Sequence, residues 1–179
     1  MLISTKGRYA LRFMISLAEA ESASCAEAPT DKTDKNEDGS RLVPLTELAE
    51  EQEISEKYLE AIVSSLTKRG LITGRRGKSG GYRLTHPADK YTAGEIIVAA
   101  EGSVTTVACL ETADMNACRR AKNCKTLPLW ERIDGVIKGI LNAVTLEDMK
   151  NGNVDTVIDS FLYKASGKEG THDKDIGGI

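Results

Sequence analysis

Along most of the chain the apolar positions return every three or four residues, and the elements they predict are helices. Tyr9, Leu11, Phe13, Met14, Leu17 and Ala18 place a first helix at about 7–20. Pro44 suits the first turn of a short second helix that buries Leu45, Leu48 and Ala49 and ends near Gln52. Ser55 is an N-cap for a third helix, with Tyr58, Leu59, Ile62, Val63 and Leu66 on its apolar face and Gly70 as its stop. The pattern then shifts to two short strands, 71–73 and 82–85, around a basic glycine-rich loop at 74–81.

Residues 92–101 read as a further helix with Ile96, Ile97 and Ala100 inward, whereas 102–126 has no clear period. From about 128 to 144, Trp130, Ile133, Ile137, Ile140 and Val144 alternate by three and four, the spacing of a seam that packs on another helix. Thr145 and Asp148 suit a capping-box restart, and Val154, Val157, Ile158, Phe161 and Leu162 predict one last amphipathic turn or two. The stretch 21–40 is small, polar and acidic and reads as a loop, and the chain from Ser166 onward reads as a polar tail.

Helix, short helix, helix and basic hairpin is the order of a winged helix-turn-helix. The expected fold is mainly α with a small β-hairpin wing and a long C-terminal dimerisation helix. Residues 1–101 form the DNA-binding domain with a polar insertion at 21–41. Residues 102–126 form a cysteine-bearing loop, 127–150 the dimerisation helix, and 151–179 a short amphipathic segment and tail. The 179 residues suffice for one compact domain with a helical arm, not for two large independent domains.

A net charge of −3 gives the chain no general attraction for a polyanion, so a nucleic-acid partner has to be argued from where the charges lie. They are segregated. Lys57, Lys68, Arg69, Arg75, Arg76, Lys78, Arg83 and Lys90 crowd the third helix and hairpin, while the acidic excess falls in 20–53. A helix of this size fits the major groove, where Glu56, Lys57, Glu60 and Ser64 reach base edges. Arg75, Arg76 and Lys78 sit among glycines that let the backbone approach phosphates while an arginine enters the minor groove. The expected partner is double-stranded DNA.

The run Phe13 to Ala18 is short and followed by Glu19 and Glu21, so it reads as a helix and not a secretory leader. No stretch approaches a membrane span, and the expected location is the cytoplasm, where cysteines more often serve metal or redox chemistry than disulfides. Cys109, Cys118 and Cys124 share the aperiodic loop, separated by eight and five residues. Zinc sites pair their ligands more closely, whereas iron–sulfur clusters accept loop-borne thiolates and a non-cysteine fourth ligand. Incidental or thiol-redox cysteines are the competing reading, and Cys25 reads as an unligated thiol. No Walker loop, nucleophile–base pair or catalytic acid pair is present, and His86 and His172 lie in a loop and a tail, so no enzyme is expected.

Residues 1–11 (MLISTKGRYAL), 54–60 (ISEKYLE), 76–82 (RGKSGGY) and the helix around Trp130 resemble the regulator family of IscR, NsrR and CymR, over about 1–20 and 42–150. The resemblance implies a homodimer on a pseudo-palindromic operator, joined by the helix bearing Trp130, Ile133, Ile137 and Ile140. It assigns Lys57 and Glu60 to base reading and Arg76 to the minor groove. It also implies a cluster at Cys109, Cys118 and Cys124, with similarity in the flanks favouring [2Fe–2S] over [4Fe–4S]. The first cysteine gap is wider than usual, and the positions that give a histidine or an acidic ligand in other members hold Leu127 and Arg8. The fourth ligand stays open among Glu111, Asp114, Cys25 and a small exogenous thiol. The alternative is a CymR-like, cluster-free repressor of cysteine metabolism acting with a partner enzyme of cysteine biosynthesis, and the three cysteines speak against it. An iron–sulfur carrier would have no use for the third helix and wing.

Overall fold

The structure, a computed structural model, describes residues 3–26, 42–77, 80–111, 118 and 120–166. Among them, α1 (Thr5–Ala26), α2 (Leu45–Gln52) and α3 (Glu56–Lys68) precede a hairpin of β1 (Ile72–Arg75) and β2 (Gly81–Leu84). Helices α4 (Ala93–Glu101), α5 (Leu127–Ala143), α6 (Leu146–Asn151) and α7 (Val154–Ala165) follow. The architecture is the expected one, mainly helical with an antiparallel hairpin.

One core joins the N-terminal helices to α4 and α6. Phe13, Met14 and Leu17 of α1, Leu59, Ile62 and Leu66 of α3, Ile96 of α4 and Leu146 of α6 are all fully buried in it. Each such side chain contributes roughly 1.5–3 kcal/mol of transfer free energy. Helix ends are set as the side chains dictate. Ser55 accepts the Tyr58 N–H, and reciprocal capping boxes close at Thr92 with Glu95 and at Thr145 with Asp148. Glu101, at the end of α4, receives the N–H groups of Ser4 and Gly7 and the Ser4 hydroxyl, so its carboxylate caps the exposed amides that begin α1.

Five expectations are corrected. Helix α1 does not stop at residue 20 but runs to Ala26, carrying Cys25 in its last turn. The extension is held from outside, because Glu21 accepts the Leu84 N–H at 3.0 Å and the Ser22 hydroxyl oxygen accepts a hydrogen bond from Lys150 Nζ at 3.0 Å. Pro44 precedes α2 as its N-cap residue instead of entering its first turn. Tyr58 belongs to the exposed side of α3, stacked edge-on against Tyr9. Val144 is not on the long helix: it caps α5, is buried, and accepts the Ala93 N–H. The last segment is also longer than one or two turns, twelve residues in all.

Strand β2 is bracketed. Residues 72–75 of β1 pair with 84–81 on one edge, and Val43 exchanges both backbone hydrogen bonds with Tyr82 on the other. A side chain at Gly81 would run into the Val43 carbonyl, so the close approach of that segment requires glycine.

Candidate nucleic-acid interface and cysteine loop

Helix α3 turns Leu59, Ile62, Val63 and Leu66 into the core, which leaves Lys57, Glu60 and Ser64 exposed on its outer side. The wing returns alongside. Glu60, Ser64 and Lys68 from α3 and Arg75, Arg76 and Tyr82 from the wing line a common cleft of about 550 Å³. Four of the predicted contact residues are thus brought together, and Lys57 lies one turn from them in the first turn of α3. Arg75 belongs to β1, not to the connecting loop as expected, while Arg76 follows the strand directly. Gly74 faces the Tyr82 ring with no room for a Cβ, which keeps the two strands flush there. Lys78 lies outside the described residues.

The cysteine loop begins where α4 ends and finishes at the first turn of α5. Cys109 is exposed in a short 3-10 turn, Cys118 and Cys124 are half-buried, and none of the three is in a disulfide. Among the described residues no three metal-ligating side chains converge, so the structure does not bring the three thiols to one point. Their chemistry nonetheless fits a thiolate-ligated group. The hydroxyl of Thr126, then its backbone amide and that of Leu127, hold the Cys124 thiol below its usual pKa and favour the ligating form. Glu111 accepts a proton from Ser103 at 2.7 Å, Asp114 lies outside the described residues, and Leu127 opens α5.

Both ends of this loop are tied to α5. At the leading end Asp134, the one buried side chain of that helix, takes the Thr106 N–H at 2.8 Å and pairs with Lys138 at 2.7 Å. At the trailing end the Leu127 N–H donates to the Cys124 carbonyl. Neither Asp134 nor Thr106 was legible as a site residue, because a carboxylate off the apolar seam and a threonine in an aperiodic segment carry no pattern.

The seam residues Trp130, Ile133, Ile137 and Ile140 are all only half-covered, and Leu129 is 55% exposed. Helix α7 lies against α5 with the Phe161 ring over Gly139, where any side chain would collide with it. Helix α7 buries no residue of its own, and Leu162 and Tyr163 remain exposed.

A family model described as Rrf2, iron-dependent transcriptional regulator, matches residues 34–152. The chain belongs to the Rrf2 family. Across its full length it is 35% identical to the HTH-type transcriptional regulator IscR of Photobacterium profundum, of which it covers 98%. The structure of CymR, the global cysteine regulator of B. subtilis, is 34% identical with a TM-score of 0.60, over 84% of this chain and 97% of that one. The IscR structure of T. potens gives 28% identity and a TM-score of 0.60, over 87% and 90%. This Rrf2 member is accordingly a DNA-binding transcriptional regulator and not an enzyme. No helix among its described residues is long and apolar enough to cross a membrane.

Proposed function

We propose that this Rrf2 regulator binds a pseudo-palindromic operator in the cytoplasm as a homodimer, and that an iron–sulfur cluster held by Cys109, Cys118 and Cys124 sets its affinity. Lys57, Glu60 and Ser64 of α3 read the major groove, while Arg75, Arg76 and Lys78 hold the backbone and minor groove. The reading divides the chain as the sequence does, with 1–101 contacting DNA, 102–126 carrying the ligands and, within 127–150, α5 joining the subunits while α6 packs back on the core.

The observation that carries the cluster reading is the set of three disulfide-free thiols on a loop whose two ends are fastened to α5. When bound, a cluster supplies a redox-responsive centre. The protein's share is mechanical: Asp134 and the first turn of α5 convert a change in the loop into a change in the dimer helix. Similarity to IscR in the flanks favours the [2Fe–2S] form. The half-covered seam on α5 supports a second copy as its cover, since an apolar stripe on a long helix gains most when another helix packs on it.

Anaerobic purification with iron and acid-labile sulfide analysis tests this. Coloured protein is expected, with alanine at any one of Cys109, Cys118 or Cys124 bleaching it and Cys25→Ala changing little. Colourless, iron-free protein after anaerobic reconstitution overturns the cluster and favours the cluster-free repressor working with an enzyme of cysteine biosynthesis.

A further inference from the structure

The wing is a hairpin of two four-residue strands, too short to fix its own orientation. Its tip carries Arg76, five residues beyond Leu71 and therefore about 17 Å from the root when extended. At that lever length a ten-degree swing at the root moves the tip by about 3 Å, the length of one hydrogen bond. Val43 holds β2 at Tyr82 and Glu21 holds it at Leu84, so a clamp at the root acts together with these in deciding whether Arg76 stands where a groove contact needs it.

Tyr91 is buried, with only 2% of its surface exposed, and its hydroxyl sits between the two root ends of the hairpin. It accepts the Thr85 N–H at 2.9 Å and the His86 N–H at 2.6 Å, just past β2, and donates to the Leu71 carbonyl at 3.0 Å, just before β1. The Thr85 hydroxyl lies 3.0 Å from the same oxygen and within reach of the Gly70 and Leu71 carbonyls, so backbone groups of both strand ends and one threonine side chain surround a phenol that offers one proton and two lone pairs. The same residue's main chain faces the other way. Its carbonyl accepts the Leu146 N–H at 2.9 Å, at the start of α6, and two residues later the Ala93 N–H donates to Val144, the cap of α5.

We infer that Tyr91 is the positioning residue of the wing, tying the root of the hairpin to the α5–α6 junction and so setting where Arg76 stands relative to α3. The inference rests on the reading of α3 and the wing as the DNA surface. It gives the long helix a mechanical connection to the wing through one core residue: junction, main chain of residue 91, phenol, both strand ends.

Tyr91→Phe keeps the ring in the core and removes only the clamp. Operator affinity of the full-length Y91F protein, measured well below its melting temperature, is expected to fall about 5- to 10-fold, as for loss of one to two net hydrogen bonds. In an R76A background the same substitution is expected to cost no more than about twofold, because the clamp acts through the wing. Hydrogen exchange of the DNA-free protein supplies an independent reading: amides of residues 72–75 and 81–84 lose protection in Y91F while those of α1 and α3 keep it. An equal loss in both backgrounds, or unchanged exchange in the wing, overturns the inference. Should R76A alone bind like wild type, Arg76 leaves the DNA surface, and the exchange result still decides the clamp.

Discussion

Asp134 receives the backbone N–H of Thr106 at 2.8 Å and its hydroxyl at 3.2 Å across 28 positions of sequence. This pair fastens the leading part of the cysteine loop, three residues before Cys109, to α5. Burial alone pushes the Asp134 pKa up, but hydrogen bonds from Lys138 and Thr106 outweigh it and leave the carboxyl below its usual value.

A depressed folded pKa means that the carboxylate's contribution is complete above the unfolded value, about pH 4, and is lost as pH falls through the folded one. Asp134→Ala should therefore destabilise the protein by about 1–3 kcal/mol at neutral pH, since the Thr106 amide loses its acceptor. The difference from wild type should shrink as the medium is acidified below about pH 4. Denaturant melts at several pH values check this, and a gap independent of pH would remove the carboxylate's charge from the account.

The α5 seam predicts the oligomeric state. Ile137 and Ile140 are half-covered within one chain, so replacing both by Glu leaves the monomer's core untouched while making its exposed stripe charged. The double variant should sediment as a folded monomer with weak operator binding, because each half-site then binds alone. A stable dimer of that variant would place the interface elsewhere.

Glu60 and Arg76 face the same cleft and should divide the work of recognition. Arg76→Ala should weaken all duplexes and lower the salt dependence by about one unit of slope at most. Glu60 is repelled by phosphates unless it accepts a hydrogen bond from a base, most readily cytosine N4. Glu60→Ala should hold or raise affinity for random duplex while losing on the order of 1–3 kcal/mol of discrimination at one base pair per half-site. Competition between an operator and its single-base variants at fixed salt measures both. Uniform weakening by Glu60→Ala would make that residue a support of α3 and not a reader.

Local chemistry made most of the fold legible. The Ser55 and Thr145 caps lie where their side chains place them, and the core positions of α1, α3 and α4 follow the helical period, whereas the capping box of Thr92 with Glu95 emerges only in the structure. What escaped the sequence depends on distant partners. The last turns of α1 are built from residues with no apolar period and persist because β2 and α6 engage Glu21 and Ser22. Val144 keeps the seam's spacing but lies past the helix end, since its carbonyl is engaged by Ala93. The role of Tyr91 was equally hidden, for its hydroxyl binds backbone groups, which almost any residue type at 71, and any but proline at 85 and 86, can provide.

Glu21 and Val43 both engage β2, so two points far apart in sequence are fixed to the same strand of the wing. One flank is fastened to that strand by a carboxylate and the other by a pair of main-chain hydrogen bonds, so both ends of the interval are placed by contacts outside it. Closing a longer connection between fixed ends costs only about 0.6 kcal/mol for each doubling of its length. By that scaling, the number of residues joining the two fixed points is a minor term in the stability of the wing's edge.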